Sequence, residues 1–163
     1  MENKIVDEFR SRTEKLFHKI DGYGADDIEK MSTAYIQSKI EDENLDVDIV
    51  DVIVSGSRCR GIENNKSDLD MVVEYKGLIR EDDLFNILNE EGLEIAGVRV
   101  DINPITERKS GTLEEYLPNV EKYLEEKKHK ASIKERIRGK RLEVCVKGWG
   151  DDKGRMKQIE NVR

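Results

Sequence analysis

Residues 48–70 read DIVDVIVSGSRCRGIENNKSDLD, a β-branched run followed by a small-residue turn and an acidic pair. The first part, residues 48–55, is rich in Ile and Val, which predicts a central strand covered on both faces. From residue 67 to residue 75 apolar and polar residues alternate, and this alternation predicts a second strand. The connection between these two strands spans residues 56–66 and begins with glycine and serine.

Three amphipathic helices are predicted around this stretch. Apolar residues recur at helical spacing over residues 2–20 and again over residues 25–43. A third helix is predicted over residues 81–91, where Gly92 suits the left-handed position that commonly follows a helix. Each helix has one apolar face, so each needs a sheet or another helix to cover it.

A third strand and a last helix are predicted beyond the third helix. Residues 98–103 alternate, and Pro104 is predicted to end this strand because proline cannot donate to a ladder. The last helix is predicted from about Pro118, a favourable first helical residue, to about Lys130. Residues 142–146 are compatible with a short strand, and that region is left undecided. The predicted fold class is α/β (α+β), a small mixed sheet of at least three strands flanked by helices.

The length and the charge of the chain limit how it can be organised into domains. With 163 residues it fits one domain, which we place at residues 1–130. The net charge of −7 is uneven, since residues 129–163 carry eleven Lys/Arg against five Asp/Glu. We therefore expect a basic, weakly ordered C-terminal tail over residues 131–163. The acidic remainder does not favour nucleic acid as a partner, because neutralising phosphates requires clustered cations, and RNA binding stays open only for the tail.

The apolar residues and the cysteines indicate a cellular compartment. No apolar stretch approaches the roughly 20 residues that a membrane helix needs, and the N-terminus lacks a signal-peptide pattern. Cys59 and Cys145 are the two cysteines and lie far apart, so neither a disulfide framework nor a zinc knuckle is expected. The sequence therefore predicts a cytoplasmic protein with no membrane partner.

Three aspartates fall on polar faces of the predicted strands. Alternation puts Asp68 and Asp70 on one face of the second strand, and Asp101 lies on the polar face of the third. If these strands are neighbours, the three carboxylates converge, and like charges so close repel unless cations neutralise them. Carboxylate oxygens suit Mg²⁺, which shares its remaining positions with water and substrate phosphates. The pattern predicts a divalent-metal site.

The turn after the first strand predicts an anion site. Gly56 permits close approach to the backbone, the Ser57 hydroxyl can donate a hydrogen bond, and a helix starting here would favour an anion. Arg58 and Arg60 add planar donor forks for phosphate oxygens. Such arginines also pair with nearby acidic residues, so both roles stay open for them. The turn and the carboxylates together predict a triphosphate held beside two metal ions.

The motif GS at residues 56–57, ten intervening residues, DLD at residues 68–70 and then Asp101 within VRVDINP resembles the DNA polymerase beta-like nucleotidyltransferase superfamily. The likeness is greater to its minimal members, which include antitoxins paired with HEPN toxins and relatives of aminoglycoside nucleotidyltransferases. It covers about residues 48–128. The resemblance implies a nucleotidyltransferase fold for this part of the chain.

The resemblance also implies a role for each matched residue. Gly56 and Ser57 would hold the outer phosphates of the nucleotide. Asp68 and Asp70 would bind two Mg²⁺ ions, and Asp101 would complete the metal site and help to activate the acceptor hydroxyl. The implied reaction transfers a nucleoside monophosphate from a nucleoside triphosphate to an acceptor hydroxyl with release of pyrophosphate. The sequence does not choose the base, and transfer of AMP from ATP is our expectation.

Other functions compete with this one. As an antitoxin-like interaction module, the chain would bind a toxin-like protein partner, with or without AMPylation of it, and its helices would supply the binding face. A small molecule and RNA are the other acceptors that stay open. A third option, a module of a larger mobile-element protein, rests on the basic run at residues 134–141. Each motif alone is ordinary, and their combination favours the enzyme.

Overall fold

The computed structural model describes residues 4–147, and residues 148–163 of the predicted tail lie outside the described residues. In chain order the elements are α1 (Lys4–Leu16), α2 (Ala25–Asp42), β1 (Val47–Ser55), β2 (Leu69–Gly77), α3 (Glu81–Asn89), β3 (Glu94–Ile95), β4 (Val98–Ile105) and α4 (Leu113–Lys147). A four-residue 3-10 turn, Ser57–Arg60, follows β1. The first three predicted helices and the three predicted strands are confirmed. The two-residue strand β3 was not predicted.

The four strands form one mixed sheet in the order β1-β2-β4-β3. Strand β2 pairs antiparallel with β1 and parallel with β4, while β3 pairs antiparallel with β4. A parallel pair needs a long crossover, and α3 lies within the one that joins β2 to β4. Helix α2 packs against β1, and α3 packs against β4. The predicted class, a mixed sheet flanked by helices, is confirmed.

Strands β1 and β2 both contribute fully buried residues to the core. Residues 52–54 are each at most 4% exposed, so the second half of β1 is covered on both faces, as its β-branched run predicts. The prediction of a central strand is wrong, because β1 lies at the edge of the sheet and its first half, with Val50 47% exposed, is not covered on both faces. In β2 the predicted apolar face is buried throughout. Its members are Leu69, Met71, Val73 and Tyr75. Removing this apolar surface from water is the main favourable term in folding the sheet, and it fixes the register of both strands.

Pro104 lies inside β4, so the prediction that it ends the strand is wrong. Alternate residues of β4 direct their backbone groups away from β2. The N–H of Val100 donates to the Leu93 carbonyl, and that of Ile102 donates to Asn89 Oδ1. Pro104 shares this alternation, so its missing N–H falls on the side away from β2, where no described strand pairs with it. A proline on such an edge removes no ladder hydrogen bond.

Helix α4 begins at Leu113, so the prediction of a start at Pro118 is wrong. The N–H of Glu115 donates to Thr112 Oγ1 at 3.3 Å, and the N–H of Thr112 donates to Glu115 Oε1 at 3.1 Å. This reciprocal pair is a capping box, which satisfies N–H groups that the helix itself leaves without acceptors. The helix continues to Lys147, so the predicted end at about Lys130 and the short-strand option at residues 142–146 are also wrong.

Two compact units divide the chain, the first ending at Leu124 and the second beginning at Glu125. The predicted boundary at residue 130 lies slightly further along α4. All three strands that carry the motifs belong to the first unit. Among the residues that the structure describes, every helix is too short or too polar to cross a membrane.

Candidate active site

Three polar residues form a row across the sheet. Ser55 at the end of β1 is the register partner of Asp70 in β2, and Asp70 is the register partner of Asp101 in β4. Register partners project from the same face of a sheet, and neighbouring strands lie about 4.8 Å apart. The structure therefore brings Asp70 and Asp101 together on one face, as their alternation in the sequence predicts.

Gly56 packs its backbone directly against this row. Its backbone angles are φ +70° and ψ −169°, a region that is essentially restricted to glycine. A Cβ atom at this position would lie 2.1 Å from Asp70 Oδ2 and 2.9 Å from its Cγ. No side chain fits there, so the Asp70 carboxylate sits against the start of the 3-10 turn because residue 56 is glycine.

The row opens into a cavity of about 640 Å³. Three of the predicted site residues line it, namely Gly56, Asp70 and Asp101. The other lining residues come from the sheet, from the loop between β4 and α4, and from α4: Ser55, Met71, Val72, Asn103, Ser110, Tyr116, Asn119, Val120, Tyr123 and Leu124. The volume lies within the roughly 300–1,000 Å³ of small-molecule sites, and carboxylates at one part of an otherwise mixed lining give it a defined polar end.

Asp68 is not among the residues that line the cavity. It is exposed and lies immediately before β2 begins at Leu69. Within the described part of the chain, no group of three His, Cys, Asp or Glu side chains is arranged to hold a metal. The two carboxylates in the row still fit Mg²⁺, which binds proteins through one or two carboxylates and takes its other ligands from water and substrate phosphates.

Ser57 and Arg58 hold the loop that leads to Asp68. The Ser57 side chain is largely buried, with its hydroxyl 3.4 Å from the hydroxyl of Ser67. Arg58 donates from Nε and Nη2 to the Ser67 carbonyl at 3.1 and 3.0 Å. These two hydrogen bonds hold Ser67, the residue next to Asp68, in place. The predicted helix is only a four-residue turn, so its dipole adds little and any anion contact there depends on individual N–H groups.

Arg60 points into the protein. Its side chain is 8% exposed and forms an ion pair with Glu121 of α4. Its Nη1 atom donates to Thr13 Oγ1 at 2.8 Å and to the Cys59 carbonyl at 2.9 Å, and its guanidinium lies 4.2 Å from the ring centroid of Phe9. Of the two roles left open by the sequence, these contacts favour internal pairing, which ties the 3-10 turn to α1 and α4.

Two titratable groups lie within the turn or shortly after it. Burial raises the pKa of the Cys59 thiol to about 12, against the opposing effect of the Arg60 charge. Burial alone would raise the pKa of Glu63, but a hydrogen bond with His18 at 2.8 Å helps to outweigh it, and the pKa is lowered. Cys59 is thus a neutral packing residue, and Glu63 is a carboxylate held in its charged form.

The sequence motifs did not identify the face of α4 that lines the cavity. Tyr116, Asn119, Val120 and Tyr123 lie three and four residues apart, which places them on one helix face. The spacing of these residues and the capping signature at Thr112 and at residue 115 are both visible in the sequence. The predicted start at Pro118 left Tyr116 outside the helix, so the four residues were not predicted to share one face.

The arrangement can bind a divalent cation with an anionic ligand, because two carboxylates, a glycine backbone and a polar cavity meet at one place. Comparisons of the chain with protein-family models, with curated proteins and with solved structures each found no match. We therefore infer the function from the residues and their geometry.

Proposed function

We propose that the protein is a Mg²⁺-dependent nucleotidyltransferase that transfers AMP from ATP to an acceptor hydroxyl and releases pyrophosphate. The observation that carries this proposal is the register pairing of Asp70 with Asp101, beside a Gly56 backbone that no side chain could replace. Two carboxylates on one face of the sheet supply the oxygen ligands that Mg²⁺ prefers. A site that keeps them together in a cavity is therefore suited to a metal.

Asp70 and Asp101 would hold the metal, and Asp68 stays a proposed ligand through its place just before β2. When bound, Mg²⁺ neutralises charge on the phosphates and lowers the pKa of a hydroxyl. Two protein carboxylates are enough for this ion, since the triphosphate itself contributes oxygens. The donor set on the row, oxygen atoms alone, is the set that Mg²⁺ prefers.

Residues of the chain would bind the phosphates and accept the proton in the proposed reaction. Backbone N–H groups at Gly56 and Ser57 would bind the outer phosphates, which fixes the direction in which pyrophosphate leaves. Asp101 would accept the proton of the acceptor hydroxyl. The acceptor oxygen then bonds to the α-phosphorus while the bond from that phosphorus to the bridging oxygen breaks, so the charge passes to pyrophosphate.

Labelling with α-³²P-ATP, Mg²⁺ and cell extract tests the proposal. We expect label to move to an acceptor, and we expect Asp70→Asn and Asp101→Asn to reduce transfer at least 100-fold. The matched control is Asp48→Asn, since Asp48 is an exposed strand aspartate outside the cavity. Equal transfer by Asp70→Asn and the unsubstituted protein would show that the carboxylate pair is not the catalytic site.

The same experiment separates the interaction module from the enzyme. Label in a protein band would indicate a protein acceptor, and label in a small molecule would indicate an antibiotic-type acceptor. Absence of label, together with normal partner capture by Asp70→Asn, would favour the module. No specific feature of residues 4–147 favours that module, so the transferase is the conclusion that we retain.

A further inference from the structure

One wall of the cavity is a face of α4 whose residues the proposed reaction does not use. Tyr116, Asn119, Val120 and Tyr123 line it, and we call these four residues the α4 wall. Tyr123 is 62% exposed, although it is a large aromatic side chain. Asn119 is also exposed, whereas Tyr116 and Val120 are half-buried and pack against the core. Asn119 and Tyr123 are therefore the part of the α4 wall that the fold itself leaves uncovered.

The two amides near this wall differ in their surroundings. Asn103 Nδ2 donates to the Tyr116 hydroxyl at 3.3 Å, so the fold engages that amide. Asn119 is exposed, and within the residues described its amide makes no hydrogen bond. Its donor and its acceptor are thus both available to a ligand in the cavity. The exposed ring of Tyr123, on the same helix face, offers a flat surface for stacking.

On the basis of the proposed nucleotidyl transfer, we propose that the α4 wall binds the adenine base of the nucleotide. Tyr123 stacks on the base, and the Asn119 amide accepts from the N6 amino group while donating to N7. An amide is complementary to this edge of adenine, whereas guanine presents two acceptors there and pyrimidines lack the edge. The α4 wall then makes ATP the preferred substrate.

The placement of this wall favours a nucleotide over an unrelated ligand. The cavity is continuous from Gly56 and the carboxylates to α4. Its lining therefore combines charged oxygens on the sheet with aromatic and amide groups on α4. A nucleoside triphosphate likewise combines phosphates with a flat ring that has a hydrogen-bonding edge. A single nucleotide can therefore contact both parts of the lining, so no second ligand is needed to account for it.

Calorimetric titration with Mg²⁺ and non-hydrolysable analogues of ATP and GTP tests the inference. We expect Tyr123→Ala to weaken binding of the ATP analogue roughly 10- to 100-fold, because a stacked base is lost. Tyr123→Phe keeps the ring and is expected to bind within about threefold of the unsubstituted protein. Asn119→Leu is expected to reduce the preference for the ATP analogue over the GTP analogue about tenfold. The matched control is Lys122→Ala, since Lys122 is exposed on α4 outside the cavity.

Inorganic tripolyphosphate, which has no base, separates failure of this inference from failure of the proposed function. Binding of tripolyphosphate as tight as that of the ATP analogue, or no effect of Tyr123→Ala, would overturn the base site and leave the phosphate site standing. A preference for a base other than adenine would overturn the assignment of Asn119. Absence of Mg²⁺-dependent binding by both probes would overturn the proposed function and this inference together.

Discussion

At the scale of single residues, Gly56 combines an unusual backbone conformation with close contact to a carboxylate. Gly56→Ala would place a Cβ atom 2.1 Å from Asp70 Oδ2 at a φ of +70°. We expect it to abolish transfer and to lower the free energy of unfolding by at least about 2 kcal/mol. Urea unfolding followed by circular dichroism, with the labelling assay, measures both effects.

Gly92→Ala is the matched control for that experiment. Gly92 has a φ of +66°, and a Cβ atom there would meet nothing within 4 Å. The substitution is expected to cost about 1–2 kcal/mol of backbone strain while leaving transfer unchanged. If both alanine variants lose activity to the same extent, steric exclusion beside Asp70 is not the reason for the glycine.

Cys59 provides a residue-scale prediction about reactivity. Its side chain has 0% exposure, and burial raises the pKa of its thiol to about 12. Because the thiolate is the reactive form, we expect iodoacetamide at pH 8 to modify native Cys59 at least 100-fold more slowly than the urea-unfolded chain. The Cys145→Ser variant leaves Cys59 as the single thiol for mass spectrometry. Rapid labelling of the folded variant would contradict the burial.

Glu63 makes a prediction about pH. Burial would raise its pKa, but the hydrogen bond with His18 helps to lower it below the ordinary value of 4.5. The unfolded chain then binds the proton more readily, so this carboxylate contributes stability above its unfolded pKa and loses it as the pH falls through its folded pKa. We expect the urea midpoint to fall more between pH 6 and pH 3 in the unsubstituted protein than in Glu63→Gln. An equal decline of the urea midpoint in both proteins would show that the hydrogen bond between Glu63 and His18 does not contribute to this pH dependence.

At the scale of elements, one side chain of α3 bridges the helix to β4 by two hydrogen bonds. Asn89 donates to the Ile102 carbonyl at 2.8 Å and accepts from the Ile102 N–H at 2.9 Å. Asn89→Leu would leave both backbone groups without these partners, and we expect a loss of about 2–4 kcal/mol in the free energy of unfolding. Asn86→Leu, an exposed substitution on the same helix, is expected to change it by less than about 0.5 kcal/mol. A similar loss in both variants would rule out the bridge.

The elements also show which parts of the fold the sequence predicts. Strands β1, β2 and β4 were predictable because burial imposes a pattern on their residues, while two-residue β3 is too short to have a period. The convergence of Asp70 and Asp101 followed from alternation once the strands were taken as neighbours. The pairing of Arg60 with Glu121 spans 61 residues. No local pattern encodes such a contact, because it depends on how α4 packs.

At the scale of the whole molecule, the boundary between the compact units makes a prediction about truncation. The first unit ends at Leu124 and contains every residue of the candidate site. We expect a chain ending at residue 130 to unfold cooperatively and to keep Mg²⁺-dependent transfer within about threefold of the full chain. Calorimetry and the labelling assay test this. Loss of the cooperative transition in the shortened chain would show that the second unit is needed for folding.

The parallel pairing of β2 with β4 has a consequence for how the chain acquires activity. The two carboxylates lie on strands that meet only after the intervening crossover has formed, and contacts between distant parts of a chain are slow to form. The proposed affinity for cation and nucleotide is therefore expected to arise late, when the long-range topology is complete. A ligand that recognises only this finished state shifts the equilibrium towards it by mass action, so the substrate would also protect the protein against heat.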